Sequence, residues 1–585
     1  MKYAEPYRGR RLFVAACLIA GFVIVLFRLF DLQILQAADL TAKADRQHRK
    51  TVSIEGARGG VQDRNGKVLA MNVDVPSVYG VPTSLDDPAS IARDLSQVLP
   101  VRAVEIERKL KQERSFVWIA RKLDPEQGRQ VEALSLGGIG TVMEGRRFYP
   151  KGPLLAHVLG FSGMDGQGLE GLELRYERVL HGEKRLVVME RDALGRTVFP
   201  RGLNEQGPAP GHMLTLTIDE VIQYIAEKEL VEMVATTHAK GGIVIVMEPS
   251  TGAIRAMAIS PRFDPNSVVD LAADRWRNRA LTDAYEPGST MKVFVAAGAL
   301  EEKIMEPDTP IFAENGAFHV ANTIIHDHEK MGLITFSQMI QRSSNIGAAK
   351  TGMALGQERL YRYLKAFGFG ERTEIDLPGE MGGLLREPRQ WGKRSLASIS
   401  MGQEVGVTPL QLVTAMSAIA NGGWLMKPYL VSSIHDTSGK AVAVQNPQVR
   451  RRPISQTTAQ TLTGILEGVV TKGTGSKAAV PGYRVAGKTG TAQKIDPRTG
   501  AYSPTLFVGS FVGFVPADNP KLAIVAVIDE PKGEAWGGVV AAPVFRRVAE
   551  QALPYLGVPG GEPVKVAFSV GGGMGSVMPA VVQEQ

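Results

Sequence analysis

The sequence lacks several features that mark common protein classes. Its single cysteine, Cys17, excludes an intramolecular disulfide, and a packing or lipid-facing position in its apolar run is the simplest explanation for it. The net charge is +7, but no Lys/Arg-rich block is present, so nucleic acid is not expected as a partner. With 585 residues, 44% apolar and 22% charged, the chain is long enough for two or more globular domains.

A long hydrophobic run lies near the N-terminus. Leu12 to Phe27 contains 16 uncharged residues, and extension through Arg28 to Phe30 gives 19. As a helix it would span about 28 Å, which is enough to cross a bilayer. The basic residues before it are Lys2, Arg8, Arg10 and Arg11. We therefore predict a cytoplasmic tail at 1–11, a transmembrane anchor at 12–30 and an extracytoplasmic remainder. The alternative is a cleaved signal peptide, for which Gln36-Ala37-Ala38 is only a weak cleavage site.

Three short strings follow one another along the chain. They are Ser289-Thr290-Met291-Lys292, Ser343-Ser344-Asn345 and Lys488-Thr489-Gly490-Thr491, whose first residues are 54 and 145 positions apart. Each string alone is common in helix surfaces, caps or turns. The evidence for a functional site is therefore the occurrence of all three in this order. A near match, Lys472-Gly473-Thr474-Gly475, has the right composition in the wrong order and is assigned no role.

The first string places a hydroxyl and an amine three residues apart after a Pro-Gly turn, which predicts both on one face of a helix. A serine becomes a good nucleophile only when a neighbouring base takes its proton. Lys292 can be that base if burial or a second cation such as Lys488 lowers its pKa. The third string predicts an edge strand whose Gly490 leaves room for a ligand, so a substrate could bind by strand addition. Together the strings describe an acyl-transfer site.

The chain resembles the class B penicillin-binding proteins, which are peptidoglycan D,D-transpeptidases. The resemblance extends from about residue 20 to 556. Besides the three strings, it is carried by the blocks Arg58 to Ala70, Arg147 to Pro150 leading to Glu173, Gly211 to Asp219, Gly402 to Gln411 and Ser510 to Pro516. The middle string, Ser-Ser-Asn, is the form typical of transpeptidases rather than of class A β-lactamases.

This resemblance implies an α/β penicillin-recognising serine transferase fold, with an antiparallel sheet flanked by helices, preceded by a mixed α+β pedestal and the anchor. We place a pedestal of the dimerisation type at 36–205, a transpeptidase domain at 206–556 and a disordered tail at 557–585. In the pedestal we expect strands at 61–70 and 77–81 and a helix around 101–113. In the transpeptidase domain we expect a hairpin of strands 242–247 and 253–259, helices within 292–300, 337–354 and 410–421, and strands around Lys488, at 506–515 and at 522–528.

The resemblance also implies roles for the site residues. Ser289 would attack the D-alanyl-D-alanine end of a donor stem peptide, with Lys292 as base. Ser343 and Lys488 would pass a proton to the leaving amine, and Asn345 would hold the donor amide and the Lys292 amine. The carboxylate-binding residues would be Thr489 and Thr491 with Lys488, and the oxyanion donors would be the backbone N–H groups of Ser289 and Thr491. β-Lactams would acylate Ser289, and no metal or organic cofactor is implied.

Within class B, Tyr285 to Lys292, Gly370 to Thr373, Leu377 to Glu380 and the compact pedestal favour the division-specific, FtsI type over the elongation type. The implied partners are a SEDS-family glycosyltransferase and other divisome membrane proteins, at the septum.

Two other classes stay open. One is a D,D-carboxypeptidase or β-lactamase that transfers the acyl group to water. The other is a non-catalytic scaffold or β-lactam sensor, for which residues 1–11 offer no output domain. His326-Asp327-His328-Glu329 contains metal-ligand types, but no third distant ligand is evident, so a loop at the rim of a cleft is the simpler interpretation.

Overall fold

The computed structural model describes residues 8–114, 116–191, 197–198, 208–267, 272–496 and 498–561. Its strands are Arg49–Glu55 (β1), Val61–Gln62 (β2), Val68–Gly80 (β3), Val117–Ala120 (β4), Ile139–Phe148 (β5), Lys184–Arg191 (β6), Thr197–Val198 (β7), Met213–Leu216 (β8), Gly241–Met247 (β9), Ile254–Ser260 (β10), Pro310–Phe312 (β11), Ala317–Val320 (β12), Thr323–His326 (β13), Leu333–Thr335 (β14), Leu425–Met426 (β15), Val431–His435 (β16), Ala441–Val444 (β17), Val449–Arg451 (β18), Ala486–Ile495 (β19), Tyr502–Val515 (β20) and Leu522–Asp529 (β21).

Its helices are Arg8–Phe30 (α1), Ala37–His48 (α2), Pro88–Val98 (α3), Ala103–Leu110 (α4), Pro125–Ala133 (α5), Ala156–Leu159 (α6), Gly171–Arg175 (α7), Glu177–Leu180 (α8), Glu220–Thr236 (α9), Ala273–Trp276 (α10), Arg279–Thr282 (α11), Lys292–Glu301 (α12), Phe336–Gln341 (α13), Asn345–Leu355 (α14), Gln357–Ala366 (α15), Ser395–Ser400 (α16), Pro409–Ala420 (α17), Gln456–Lys472 (α18), Gly537–Val540 (α19) and Ala542–Tyr555 (α20).

The chain divides into two compact units. The smaller unit comprises 1–59 and 181–212, and the larger comprises 60–180 and 213–585. In the smaller unit, α1 continues through a π-helical turn at Asp31–Leu35, and β1, β6 and β7 form an antiparallel sheet. The continuous stretch Arg8–Leu35 is 28 residues long, and its apolar side chains are exposed. By length and composition it can cross a membrane once.

One sheet of the larger unit joins strands from its beginning to β16 and β17, in the order β17-β16-β8-β2-β3-β4, with β5 paired to β3. The predicted strand at 61–70 is wrong in one respect, because a turn at residues 63–67 divides it into the paired strands β2 and β3. Asp63 makes this turn by accepting hydrogen bonds from the backbone N–H groups of Asn65 and Lys67, each at 2.8 Å. The polar helix expected around 101–113 is present as α4.

The rest of the larger unit surrounds an antiparallel sheet in the order β10-β9-β21-β20-β19. Side chains of β9 alternate between two apolar clusters: Ile243 and Ile245 face one, and Val244 and Val246 face the other. Helices α9 and α20 contribute to the second cluster, and α12, α17 and α18 to the first. The sheet is therefore covered on both faces. It contains the predicted hairpin and the predicted strands β20 and β21, and β19 lies at its edge.

The range 337–354 is mostly helical, as predicted, and it contains two helices, because α13 ends at Gln341 and α14 begins at Asn345. Between them Ser343 has φ +62°, a left-handed conformation that a helix cannot contain. Ser344 then caps α14 by accepting a hydrogen bond from Gly347 N at 2.9 Å. The middle string is thus the break between two helices.

The predicted tail at 557–585 falls mostly outside the described residues. Its described part, 557–561, follows α20 and contacts Tyr483, whose hydroxyl donates to Val558 O at 2.8 Å. Gly561 N donates to Gly482 O at 2.8 Å. Residues 562–585 lie outside the part of the chain that the structure describes.

Candidate active site

Ser289 lies in a single 3-10 turn, Gly288–Thr290, immediately before α12. Gly288 has φ +53°, and a Cβ there would lie 2.8 Å from Thr491 O, so a side chain is excluded for two reasons. Thr290 Oγ1 donates to Pro287 O at 2.9 Å, and Gly288 N donates to Gly402 O at 3.1 Å. The turn is held rigidly between β19 and the loop after α16, and it leaves the Ser289 side chain half-buried.

Lys292 begins α12 and is fully buried. Its Nζ donates to Ser343 O at 2.6 Å, to Asn345 Oδ1 at 2.7 Å and to Ser343 Oγ at 3.3 Å. The expected contact between Asn345 and this amine is therefore present. The Ser289 hydroxyl has no hydrogen-bond partner among the described residues, so in this structure the amine is linked to Ser343 and Asn345.

Lys488 approaches the same serine from β19 and is also fully buried. Its Nζ donates to Ser343 Oγ at 3.0 Å, to Thr489 O at 3.2 Å and to Thr489 Oγ1 at 3.3 Å. Ser343 Oγ thus accepts from two lysines, and its own O–H stays available as a donor. This bridging hydroxyl joins all three strings.

Burial dominates the electrostatics of the two lysines. Desolvation lowers the pKa of Lys292 to about 7, while the charge of Asp327 acts in the opposite direction. Desolvation, and then the neighbouring Lys292, lower the pKa of Lys488 well below its ordinary value. Because two ammonium groups that share one hydroxyl repel each other, the charge on either amine disfavours a charge on the other. Burial and this repulsion both favour the uncharged form, which is the form that can act as a base.

The strand β19 carries Thr489, Gly490 and Thr491 along the cleft. Thr489 Oγ1 is 2.7 Å from Thr474 Oγ1, and Thr491 Oγ1 accepts from Gly537 N at 3.0 Å. The expectation that Gly490 leaves room for a ligand is corrected by the structure. A Cβ there would lie 2.5 Å from Ser510 Oγ and 2.8 Å from Pro287 O, so the space is taken by protein. Glycine is required because the nucleophile turn packs on it.

These residues open into a cleft of about 1160 Å³. The site residues predicted from the sequence that line it are Ser289, Ser343, Asn345, Thr489 and Thr491. Lys292 and Lys488 lie buried beneath it, where they reach Ser343. The geometry suits an extended ligand that pairs with the free edge of β19 above a nucleophile.

Two residues at the cleft have roles that sequence reasoning did not assign. Thr474 belongs to the near match Lys472-Gly473-Thr474-Gly475, which was assigned no role because its residues stand in the wrong order. It lines the cleft just after the end of α18. Asp327 comes from the acidic and histidine-rich loop, and it binds the start of α14. No local capping pattern signals this contact, because Asp327 lies 18 residues before Asn345 in the sequence. No group of three or more potential metal ligands occurs within the described ranges.

Comparison with known proteins agrees with this geometry. The family model described as "Penicillin binding protein transpeptidase domain" matches residues 242–550, and "Penicillin-binding Protein dimerisation domain" matches 53–216. The chain belongs to the penicillin-binding proteins. A dimerisation domain followed by a transpeptidase domain makes it a class B member, and its fold is that of the family.

Individual relatives match along nearly the whole chain. Stage V sporulation protein D of Bacillus subtilis is 37% identical over 94% of this chain and 86% of its own. Peptidoglycan D,D-transpeptidase FtsI of Escherichia coli is 30% identical over 95% of this chain and 93% of its own. The crystal structure of penicillin binding protein 3 from Mycobacterium tuberculosis with aztreonam superposes with a TM-score of 0.69, at 27% identity, over 88% of this chain and 99% of that one.

Proposed function

We propose that this penicillin-binding protein is a peptidoglycan D,D-transpeptidase that forms an acyl-enzyme on Ser289 during septal wall synthesis. The observation that carries the proposal is the Ser343 hydroxyl, which accepts hydrogen bonds from Lys292 and Lys488 at 3.3 and 3.0 Å, beneath the cleft that Ser289 lines. Two buried amines and a bridging hydroxyl form a proton-transfer path next to a nucleophile.

In the acylation step, Ser289 Oγ attacks the carbonyl carbon between the two terminal D-alanines of a donor stem peptide. Lys292, whose pKa burial lowers to about 7, takes the serine proton. The C–N bond then breaks, and Ser343 passes a proton to the departing amine of D-alanine, with Lys488 replenishing it. The products are an ester on Ser289 and free D-alanine.

In the transfer step, an amine of a second stem peptide attacks the ester and Ser289 leaves with a proton, so an amide crosslink forms. The backbone N–H groups of Ser289 and Thr491 would hold the oxyanion in both steps, worth about 3 kcal/mol per donor. Thr489 and Thr491, with Lys488, would bind the donor carboxylate. Asn345 would hold the donor amide while its Oδ1 orients the Lys292 amine.

We place the enzyme in the plasma membrane through the anchor at 12–30, with the pedestal (36–205) and transpeptidase domain (206–556) outside the cytoplasm. The apolar stretch Arg8–Leu35 supports the anchor. The septal role rests on the resemblance to the division-specific type, and the match to FtsI over 95% of the chain supports it. A SEDS-family glycosyltransferase and other divisome membrane proteins are the proposed partners, because a crosslinking enzyme needs nascent glycan strands.

The experiment is intact-mass analysis and peptide mapping of the full chain in detergent after incubation with a penicillin, followed over time. We expect a long-lived adduct on Ser289, none in Ser289→Ala, and normal labelling of Ser250→Ala, a matched control at an exposed serine in the hairpin turn between β9 and β10. A rapidly lost adduct would favour the hydrolase. Labelling of folded Ser289→Ala would overturn the assignment.

A further inference from the structure

The carboxylate of Asp327 makes three hydrogen bonds to the break between α13 and α14. Its Oδ1 accepts from Asn345 N at 2.5 Å and from Ile346 N at 3.0 Å, and its Oδ2 accepts from Ser344 Oγ at 2.6 Å. It reaches them from the loop after β13, and His326, the last residue of β13, accepts from Asn345 Nδ2 through its carbonyl oxygen at 2.9 Å. Two consecutive residues, His326 and Asp327, therefore fix the side chain and the backbone of Asn345.

The segment that Asp327 holds is strained. Ser343 has φ +62°, which a residue with a side chain adopts only when its surroundings impose it. This conformation directs Ser343 Oγ to the Lys292 and Lys488 amines. Since the free N–H groups at the start of α14 need an acceptor, the carboxylate stabilises the helix start and the strained residue before it together.

Charge gives Asp327 a second effect. The charged or ionisable groups around it are Lys292 from α12, Arg342 after α13, His326 at the end of β13, and His328 and Glu329 on its own loop. Arg342 pairs with Glu329 at 2.5 Å. The negative charge of Asp327 raises the pKa of Lys292 against the effect of burial. The Asp327 carboxylate therefore favours the protonated form of the Lys292 amine.

We propose that Asp327 is a positioning residue for acyl transfer: it holds the Ser343–Asn345 turn between the two lysines, and it places a negative charge near the Lys292 amine. This inference rests on the proposed function. A helix-capping aspartate with a purely structural role would affect only folding stability, and the two roles can be separated experimentally.

The test measures the second-order rate of Ser289 acylation by a penicillin across about pH 5 to pH 10, because this profile reports the ionisation of the free enzyme. The variants are Asp327→Asn, which keeps a side-chain acceptor without the charge, and Asp327→Ala. The matched control is Asp219→Asn, since Asp219 caps α9 through Val221 N and Ile222 N away from the cleft.

Removing the negative charge makes Lys292 lose its proton at lower pH. On the acid side of the profile, the acylation rate rises with pH. In Asp327→Asn we expect this rise, called the acid limb here, to move to lower pH by about half a pH unit or more. In Asp327→Ala, where the geometry is also lost, we expect the acylation rate to fall roughly tenfold or more. Asp219→Asn should lower Tm and leave the position of the limb unchanged. The shift must persist in His326→Gln and His328→Gln backgrounds, because both side chains line the cleft on either side of Asp327 in the sequence.

The outcomes separate a failure of the inference about Asp327 from a failure of the proposed function. If the wild-type protein is labelled on Ser289 and the Asp327→Asn limb coincides with that of the wild type, the inference is wrong while the proposed function stands. If the wild-type protein is not labelled, the proposed function itself fails. Should Asp327→Asn not fold, Ser344→Ala replaces it, because it keeps the charge of Asp327 and removes one contact of the carboxylate together with the hydrogen bond that caps α14. We then expect a slower rate with an unmoved limb, and an unchanged rate would refute positioning.

Discussion

Gly490→Ala tests whether β19 and the nucleophile turn must touch. Gly490 has no positive φ, so alanine is compatible with its backbone and the effect is steric. The new Cβ would lie 2.5 Å from Ser510 Oγ, 2.8 Å from Pro287 O and 2.9 Å from Thr290 Cγ2. The serine hydroxyl can rotate away. The carbonyl of Pro287 can retreat only if the turn that carries Ser289 moves with it.

The size of the effect follows from these distances. The contact with Pro287 O is about half an ångström shorter than ordinary van der Waals separation. Since a misplacement of about 1 Å can cost roughly a hundredfold in rate, we expect acylation to slow by about tenfold or more. Overpacking of this kind also destabilises a protein by about 1–3 kcal/mol, so Tm should fall.

The assay is penicillin acylation of Ser289 together with thermal unfolding, with Gly464→Ala as the matched control. A Cβ at Gly464, inside α18, meets nothing within 4 Å, so that change should leave acylation unaltered and stabilise the helix. If Gly490→Ala acylates at the wild-type rate while its Tm falls, the contact does not set the position of Ser289. If neither quantity changes, the close packing itself is refuted.

Two further predictions concern the same site. The acylation rate of the wild-type protein should rise with pH through about 7, because burial lowers the pKa of Lys292 to about 7 and only the neutral amine accepts a proton; a rate independent of pH between about 6 and 8 would contradict this. Thr474→Val should slow acylation by roughly fivefold, because the hydrogen bond to Thr489 Oγ1 is worth about 1 kcal/mol. The control is Thr471→Val, whose hydroxyl is exposed and donates to Glu467 O within α18; equal rates for the two variants would exclude a role for Thr474.

Local patterns were sufficient for the sheet. The β9–β10 hairpin, β20 and β21 are apolar runs bounded by turn residues, and each was predicted within a few residues. The edge position of β19 was also predicted, because its string suits strand addition. The order of the three strings predicted one common site, and the structure brings Ser289, Ser343 and Lys488 to it.

The break at Ser343 was not predictable from local patterns. The prediction for 337–354 placed no break inside the range, and the start of α14 at Asn345 is stabilised by the distant carboxylate of Asp327 as well as by the Ser344 cap. Thr474 was missed for a similar reason, because its hydrogen bond joins the end of α18 to β19. Gly490 was predicted to leave room for a ligand, whereas Pro287 O and Ser510 Oγ occupy the space beside it. In each case the deciding contact lies between elements far apart in the sequence.

The composition of the three strings also says little about why their lysines are reactive. An exposed lysine is almost fully protonated at neutral pH and is no base. Lys292 becomes one because it is fully buried, while Ser343 and Asn345 accept the hydrogen bonds that hold its amine in place. The second buried lysine adds repulsion, and Asp327 limits how far deprotonation goes. The base is thus a property of the fold, and every contact that fixes Ser343 between the two amines contributes to the chemistry.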